Sequence, residues 1–428
     1  MSAGPGTAGA SPGSETGRFH RADLGGGLVL LTEEIPGVRS ASAGIWVRFG
    51  SAHEQRPEMG VAHLLEHMVF KGTRRRNARD LALVLERLGG SLDAYTTREY
   101  TSYQARVLDS DLDIALDVLA DLVLHPLLRA EDLELEREVV LEEIATVDDT
   151  PDDLVFDLHA EALWGTHPYG HTILGTRESV SRLGAAELRR IHDGAYVRRN
   201  LIVAVAGNID HERVAETLAR LIPAADAQPT EGLPVPAPAT AQPRALSVAR
   251  ASAQTHIVFG APTFAHGDPR RYALVLLSNA FGGGMSSRLF QRVREELGLA
   301  YAVYSYQSFY REAGVTGVYV GTRPEWADKA TAVIREELDG LAREGLTPDE
   351  LDDVKGQVKG QMVLALESTG SRLQRLAGCA LYDEPYLALD TLVARVDAVT
   401  REEVAALAAE YFDPERQVVL RLGPRAES

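Results

Sequence analysis

Residues 60–70 read GVAHLLEHMVF, and the two histidines in this stretch lie four positions apart. On an α-helix, positions i and i+4 are one turn apart on the same face, so His63 and His67 can reach one metal ion. Glu66 follows His63 by three positions and points to the same side. The sequence therefore predicts a helix that presents two imidazoles and a carboxylate on one face and packs its leucines into a core.

The order H-x-x-E-H inverts the H-E-x-x-H pattern of zinc peptidase helices. A chain of 428 residues with 12 histidines and 62 acidic residues is expected to contain such a pattern by chance about 0.05 times. Neutral imidazoles suit Zn²⁺, and a hydrolytic zinc site needs three protein ligands and a fourth position for water. We interpret His63 and His67 as zinc ligands and Glu66 as the base for that water. A pair of surface histidines without a metal is the alternative.

The third ligand must come from elsewhere, and the acidic helix predicted from Glu131 to Val147 is the best source. Glu136 and Glu143 are seven positions apart in it, which is two turns along one face. An acidic run of this kind is more often a solvated helix face. Spacing alone does not choose Glu143 over Glu142.

Composition and charge exclude several classes of protein. With 45% hydrophobic and 25% charged residues the chain is typical of a globular protein, and no apolar run approaches the roughly 18 residues of a membrane-spanning helix. The net charge is −18 and no basic block is present, which disfavours nucleic-acid binding. The predicted partners therefore include neither a membrane nor a nucleic acid.

Cysteine content and the N-terminal segment bear on location and on metal chemistry. Cys379 is the single cysteine, so the chain can form neither an intramolecular disulfide nor a thiolate cluster, and any metal must be held by nitrogen and oxygen. Residues 1–17 are rich in Gly, Ala, Ser and Pro without an apolar signal segment, and we interpret them as a flexible tail. A cytoplasmic location is expected.

A segment rich in proline and alanine, residues 224–244, is predicted to link two halves of similar length, residues 18–223 and 245–428. In each half, two β-rich runs precede helical segments, a further pair of strand-like runs, long amphipathic helices and a late strand. This repeated order indicates an internal duplication. The predicted fold is α+β, with two similar domains in which helices pack on one face of a largely antiparallel sheet.

Residues 60–73, GVAHLLEHMVFKGT, closely resemble the zinc-binding helix of the pitrilysin-type (M16) metallopeptidases, and in particular the bacterial relatives of mitochondrial processing peptidase. The family's third ligand ends a stretch of the form E-R-x-V-x-x-x-E, which residues 136–143, EREVVLEE, match. The resemblance therefore implies Glu143 as the third zinc ligand. It also implies Glu136 as an additional active-site glutamate that supports the site without binding metal.

The second half carries another match to the same family. Residues 281–301, FGGGMSSRLFQRVREELGLAY, resemble a C-terminal segment in which an arginine and a tyrosine project toward the substrate. The resemblance implies that Arg294 and Tyr301 hold the substrate carbonyl and stabilise the oxyanion. Without it, a surface ion pair and a half-buried aromatic would be the simpler interpretations. Asp93 departs from the family pattern, because many relatives have asparagine there.

Together these matches imply a zinc-dependent endopeptidase that hydrolyses short or unfolded peptides through a metal-activated water, with one Zn²⁺ per chain. Family members of this length form pairs in which the zinc of one subunit faces the Arg/Tyr pair of the other. Because this sequence keeps both sets of residues, a homodimer is expected. The alternative function is that of a non-catalytic structural or partner-binding subunit with the same fold.

Overall fold

A computed structural model describes residues 17–223, 234–239 and 241–425 of the chain. Within these residues the strands form two sheets, one from each half of the sequence. The predicted flexible tail lies outside the described residues except for Gly17, and the predicted linker is described only at 234–239 and 241–244.

The first sheet has the order β1-β2-β6-β3-β5-β4, in which β2 and β6 are parallel and all other neighbours are antiparallel. Its strands are β1 (Arg18–Asp23), β2 (Val29–Glu34), β3 (Ser40–Val47), β4 (Ser91–Thr96), β5 (Thr101–Leu108) and β6 (Leu201–Gly207). The sequence pattern did not predict β1. This strand alternates exposed and half-buried residues, so it lacks the apolar run that marks the strands beside it.

The second sheet has the order β7-β11-β8-β10-β9, with β7 and β11 parallel and the other pairs antiparallel. Its strands are β7 (Arg244–Ala249), β8 (Thr255–Thr263), β9 (Ala300–Phe309), β10 (Gly314–Thr322) and β11 (Val418–Gly423). Apart from β1, this order repeats that of the first sheet, with the parallel pair in the same place. The predicted α+β fold with two similar, largely antiparallel domains is confirmed.

The helices of the first half are α1 (Val61–Val69), α2 (Ala78–Glu86), α3 (Leu112–Leu124), α4 (Ala130–Asp148), α5 (Pro151–Trp164), α6 (Arg177–Arg182), α7 (Ala185–Ala195) and α8 (His211–Leu221). Those of the second half are α9 (Arg271–Gly282), α10 (Ala327–Glu344), α11 (Pro348–Ala365), α12 (Thr369–Leu381), α13 (Leu389–Ala398) and α14 (Arg401–Tyr411). Among the described residues, no helix combines the length and the apolar character needed to traverse a lipid bilayer.

Both faces of each sheet are covered, which corrects the expectation of helices on one face only. Every residue of β6 is buried, as is typical of a strand inside a sheet that is covered on both sides. The first sheet packs one face on α1 and α3 of its own half and the other face on α12 of the second half. The second sheet likewise packs on α9 and α10 and, across the chain, on α5. Each half therefore contributes one helix that covers the sheet of the other half, and these two helices, α5 and α12, are called the exchanged helices.

A buried ion pair fixes α12 on the first sheet. The side chain of Glu33, on β2, is fully buried, and its Oε1 accepts a hydrogen bond from Arg372 Nη1. Arg372 Nε also donates to the Leu366 carbonyl at 2.5 Å, and the hydroxyls of Ser42 and Thr369 are 2.9 Å apart on the same interface. Because an unpaired charge in such a place is costly, each partner depends on the other.

On the other exchanged helix, His159 of α5 has a similar role. Its side chain is buried and its Nε2 lies 3.0 Å from the carbonyl oxygen of Val418 on β11. Gly260 provides the space for this ring, since a Cβ atom there would come within 2.4 Å of His159 Cε1. Burial lowers the pKa of His159 from 6.5 to about 4. The neutral ring can therefore donate its proton to the carbonyl.

We expect this histidine to make the fold sensitive to acid. Because the pKa of His159 is lower in the folded than in the unfolded state, the unfolded chain binds an extra proton between pH 6.5 and about 4, and stability falls as the pH falls through that range. His159→Gln keeps a donor for Val418 but lacks the titrating ring. Between about pH 7 and about pH 5, the unfolding free energy of wild type should therefore fall by roughly 2 kcal/mol more than that of the variant. Urea unfolding at both pH values measures this, with His125→Gln, at an exposed histidine, as the control. An identical loss in wild type and variant would contradict the prediction.

Candidate metal centre

The residue immediately before α1 is a glycine that no other residue could replace without strain. Gly60 has φ +89°, and a Cβ atom there would lie 2.4 Å from the Leu174 carbonyl oxygen. The carboxylate of Glu54 then caps the helix, because its two oxygens accept the backbone N–H groups of Gly60 and Ala62 at 2.8 Å each. Burial raises the pKa of Glu54 to about 8, against the effect of these two bonds. The start and direction of α1 are thereby fixed.

The two sides of α1 differ in what they contact. Leu64, Leu65 and Met68 are buried in the core beneath the first sheet, as the sequence predicted for the leucines. His63 and His67 lie on the opposite side, toward α4, with ring centroids 4.6 Å apart. The predicted one-turn spacing therefore brings both imidazoles to the same surface of the helix.

Helix α4 supplies the carboxylates. Its buried residues are Leu133, Glu136, Val140 and Ile144, which recur at helical spacing and form its inner stripe. Glu143 lies at the border of this stripe and is partly exposed, whereas Glu142 is exposed. The phase of the helix therefore turns Glu143, and not Glu142, toward α1.

Three side chains from these two helices converge. Glu143 Oε2 lies 3.5 Å from His63 Nε2 and 3.6 Å from His67 Nε2, and the three donor atoms are all within 4.8 Å of one another. Two ligands of one tetrahedral zinc ion, each at 2.0–2.1 Å, would be about 3.3 Å apart. Two imidazole nitrogens and one carboxylate oxygen are also a ligand set of catalytic zinc sites. The donor set and its spacing fit Zn²⁺.

The surroundings of these side chains set their protonation. Burial, reinforced by the neighbouring His67, lowers the pKa of His63 to about 4, so its ring is neutral at neutral pH as a metal ligand must be. Burial also raises the pKa of Glu66 above its usual value. A carboxylate with a raised pKa is better able to accept a proton and to release it again near neutral pH.

Glu66 does not join the ligand group but contacts the sheet. Thr96 Oγ1, at the end of β4, donates a hydrogen bond to Glu66 Oε2 at 2.6 Å. Strand β4 is the edge of the first sheet beside α1, so this bond ties Glu66 to a strand that is paired on one side only among the described residues. Sequence reasoning missed Thr96, and its position at the end of a predicted strand that follows the histidine helix was the available signal.

Glu136 contacts His67 on the side of the ring away from Glu143. Its Oε2 lies 3.1 Å from His67 Nδ1, the nitrogen that faces away from Glu143. Its Oε1 lies 2.5 Å from Lys71 Nζ, a contact that sequence reasoning did not anticipate. Glu136 therefore touches a candidate ligand and lies outside the group of three converging side chains.

Arg294 and Tyr301 lie together, but apart from the histidines. The Arg294 guanidinium stacks over the Tyr301 ring at 4.4 Å, and its Nη1 donates to the Tyr301 carbonyl at 3.1 Å. Tyr301 is 79% exposed at the start of the edge strand β9. Among the described residues, neither side chain has a hydrogen bond, ion pair or ring contact with His63, His67 or Glu143. In the part of the chain that the structure describes, the two predicted sets are therefore not in direct contact.

Family models match both halves of the chain. Residues 29–177 match the model described as insulinase, peptidase family M16. Residues 182–358 match the model described as peptidase M16 inactive domain. The converging side chains all lie within the first match, and the Arg294–Tyr301 pair lies within the second.

Curated relatives match over nearly the whole length. A protein of Streptomyces coelicolor named as an uncharacterised zinc protease is 41% identical over 402 residues, which is 92% of this chain and 88% of the relative. A Bacillus subtilis protein of the same description is 38% identical over 395 residues, covering 92% of this chain and 96% of the relative. A zinc protease description is therefore shared by relatives from distant bacteria.

Solved structures share the fold at lower identity. A Pseudomonas fluorescens structure described as a peptidase M16 inactive domain superposes with a TM-score of 0.89 at 23% identity, covering 96% of this chain and 99% of that one. A protease from Helicobacter pylori has a TM-score of 0.88 at 22% identity and covers 96% and 100%. Since the two family models and these close relatives together span most of its length, the chain belongs to peptidase family M16.

Proposed function

We propose that this chain is a zinc-dependent endopeptidase that hydrolyses short or unfolded peptides. The observation that carries the proposal is the convergence of His63, His67 and Glu143, with Glu66 on the helix of the two histidines but outside the ligand group. A non-catalytic subunit would have no need of this arrangement. Membership of a family whose relatives are named zinc proteases supports the same conclusion.

Each side chain of the candidate centre has a separate proposed role. His63, His67 and Glu143 would hold one Zn²⁺ per chain. A bound zinc ion would lower the pKa of a coordinated water toward 7. Glu66 accepts the proton of the attacking water and then delivers it to the leaving amine. Thr96 holds the Glu66 carboxylate in line, and Glu136 holds the ring of His67 from the opposite side.

Substrate binding is proposed at the open edge of β4. An extended peptide can add to such an edge through backbone hydrogen bonds, which give affinity without selecting one sequence. Asp93 is exposed on this strand, and its carboxylate would favour a basic side chain nearby. An unfolded segment can adopt the extended form, whereas a folded protein cannot. Short or unfolded peptides are therefore the proposed substrates. We propose peptide processing as the role and the cytoplasm as the location.

We also propose that the working enzyme is a homodimer. The Arg294–Tyr301 pair makes no contact with the ligand group of its own chain, and Tyr301 is largely exposed. In a dimer, Arg294 of the partner subunit could face the histidines and stabilise the oxyanion. Size-exclusion chromatography with light scattering tests this, since a fully active monomer would contradict it.

The experiment that tests the function combines metal content with cleavage. Atomic emission should find about one zinc per chain, and the protein should cleave a quenched fluorescent peptide until a chelator is added and again after zinc is restored. His63→Ala should lose both zinc and cleavage. Purified protein that binds no zinc, or that cleaves equally well in chelator, would overturn the proposal.

Loss of the Thr96 hydroxyl should slow catalysis without releasing the metal. Thr96→Val removes the donor to Glu66, and a lost hydrogen bond to a charged group is expected to lower kcat/KM about tenfold. Zinc content should stay at the wild-type level, because Thr96 does not touch His63, His67 or Glu143. Thr96→Ser retains the hydroxyl and is the control. If the valine variant matched wild type, Thr96 would have no part in placing the base.

A further inference from the structure

Lys71 lies two residues past the end of α1, where the chain turns away from the histidines. Its backbone N–H bonds the Met68 carbonyl at 3.2 Å, and its own carbonyl accepts a hydrogen bond from Arg129 at 3.1 Å. The backbone at Lys71 is therefore fixed between the end of α1 and the start of α4. From this position its ammonium reaches Glu136 Oε1 at 2.5 Å.

The carboxylate of Glu136 is buried, which is unusual for a negatively charged group. Its side chain is 8% exposed and lies in the buried stripe of α4 between Leu133 and Val140. A buried carboxylate is costly unless a cation and hydrogen bonds compensate it. Lys71 supplies that cation, and His67 Nδ1 supplies the other contact. Each oxygen of the carboxylate thus has one partner.

The contact with His67 decides which ring nitrogen faces the ligand group. When Nδ1–H donates to Glu136, Nε2 carries the free lone pair, and Nε2 is the atom that lies 3.6 Å from Glu143. His63 has no such support, since its Nδ1 is buried without a hydrogen-bond partner among the described residues. Of the two histidines, His67 is therefore the one whose orientation is set from outside the ligand group.

We propose that Lys71 is a positioning residue of the metal centre, which acts through Glu136 to hold the His67 ring in the orientation that binds zinc. This inference rests on the proposed function. Partners that orient a ligating histidine commonly change metal affinity by about 10- to 100-fold when they are removed. Lys71 is one step further away, so its effect should lie near the lower limit.

Zinc affinity of the purified chain, measured by competition with a chromophoric chelator, tests the proposal. Lys71→Met should weaken zinc binding about tenfold, whereas Lys71→Arg, which keeps the charge, should restore most of the affinity. Lys329→Met, at an exposed lysine on α10, is the matched control and should bind as wild type does. Thermal unfolding of the metal-free variants identifies any that fail to fold, and Lys71→Gln replaces the methionine variant in that case.

Combining substitutions shows whether Lys71 acts through Glu136. Glu136→Gln should itself weaken zinc binding, and adding Lys71→Met to it should produce little further loss. The visible spectrum of the Co²⁺-loaded protein should differ between Lys71→Met and wild type, which a purely structural ion pair would not cause. Equal zinc affinity in wild type and Lys71→Met, or losses that simply add in the double variant, would overturn the proposal.

The same measurements separate this inference from the proposed function. If wild-type protein binds zinc and His63→Ala does not, the metal centre stands, and only the result for Lys71→Met decides the role of the lysine. If wild-type protein binds no zinc, both the proposed function and the proposed role of Lys71 are wrong.

Discussion

Replacing Glu66 with glutamine is expected to reduce kcat/KM for peptide cleavage by about 10³-fold or more, because the substitution removes the carboxylate that is proposed to accept the proton of the attacking water. Glutamine keeps the shape of the side chain and can still accept the hydrogen bond from Thr96. The variant should therefore fold normally and retain about one zinc per chain. Fluorescent-peptide kinetics and atomic emission on the same preparation measure both quantities.

The control for this substitution is Glu142→Gln, at an exposed glutamate on α4 that the helix phase turns away from α1. It removes the same charge from the neighbourhood of the site and should leave cleavage unchanged. Cleavage by Glu66→Gln at a rate near that of wild type would remove Glu66 from the role of base. Loss of zinc from that variant would instead make it a structural element of the centre.

The largest effect on stability is expected from Arg372→Met. The substitution leaves the fully buried Glu33 carboxylate without its cation, and breaking such a pair typically costs about 3–5 kcal/mol. A loss of this size is a large share of the roughly 5–15 kcal/mol that stabilises an ordinary domain. Urea unfolding monitored by circular dichroism should show the midpoint shifted accordingly.

Two further variants identify the cause of that loss. Glu33→Met combined with Arg372→Met removes both charges from the interface and should recover much of the stability, since an apolar pair can replace a buried ion pair. Arg343→Met breaks an exposed pair with Asp339 on α10 and should cost no more than about 1 kcal/mol. If Arg372→Met cost no more than Arg343→Met, the buried pair would not be what holds α12 to the first sheet.

Much of the fold could be predicted because its signals are local. The order of strands and helices follows from apolar periodicity within short windows, and the repetition of that order in both halves indicated the duplication that the two sheets display. The spacing of His63 and His67 is also local, since one helical turn determines it. These features require no knowledge of which elements pack together.

The exchange of helices could not be predicted in the same way. Both α5 and α12 are amphipathic segments whose partners lie far away in sequence, and periodicity gives the apolar face of a helix but not the surface that it covers. The buried residues on both sides of β6 did contain a signal, because an uninterrupted apolar strand requires cover on two faces.

The candidate site was likewise predictable only in part. Spacing left Glu142 and Glu143 equivalent, and the choice between them depended on how α4 rotates against α1. Thr96 and Lys71 contact Glu66 and Glu136 across 30 and 65 positions of sequence, respectively. Such contacts follow from the packing of α1 between β4 and α4, which the pattern of a single segment does not contain.

The exchanged helices have a consequence for dissection of this enzyme. A gene split at the proline-rich junction would yield one fragment with the bare apolar face of its sheet where α12 belongs, and another with a bare face where α5 belongs. Each product expressed by itself should aggregate, whereas co-expression should let the two polypeptides complement each other and assemble. The two sheets, although similar in strand order, are thus interdependent parts and not a pair of autonomous modules.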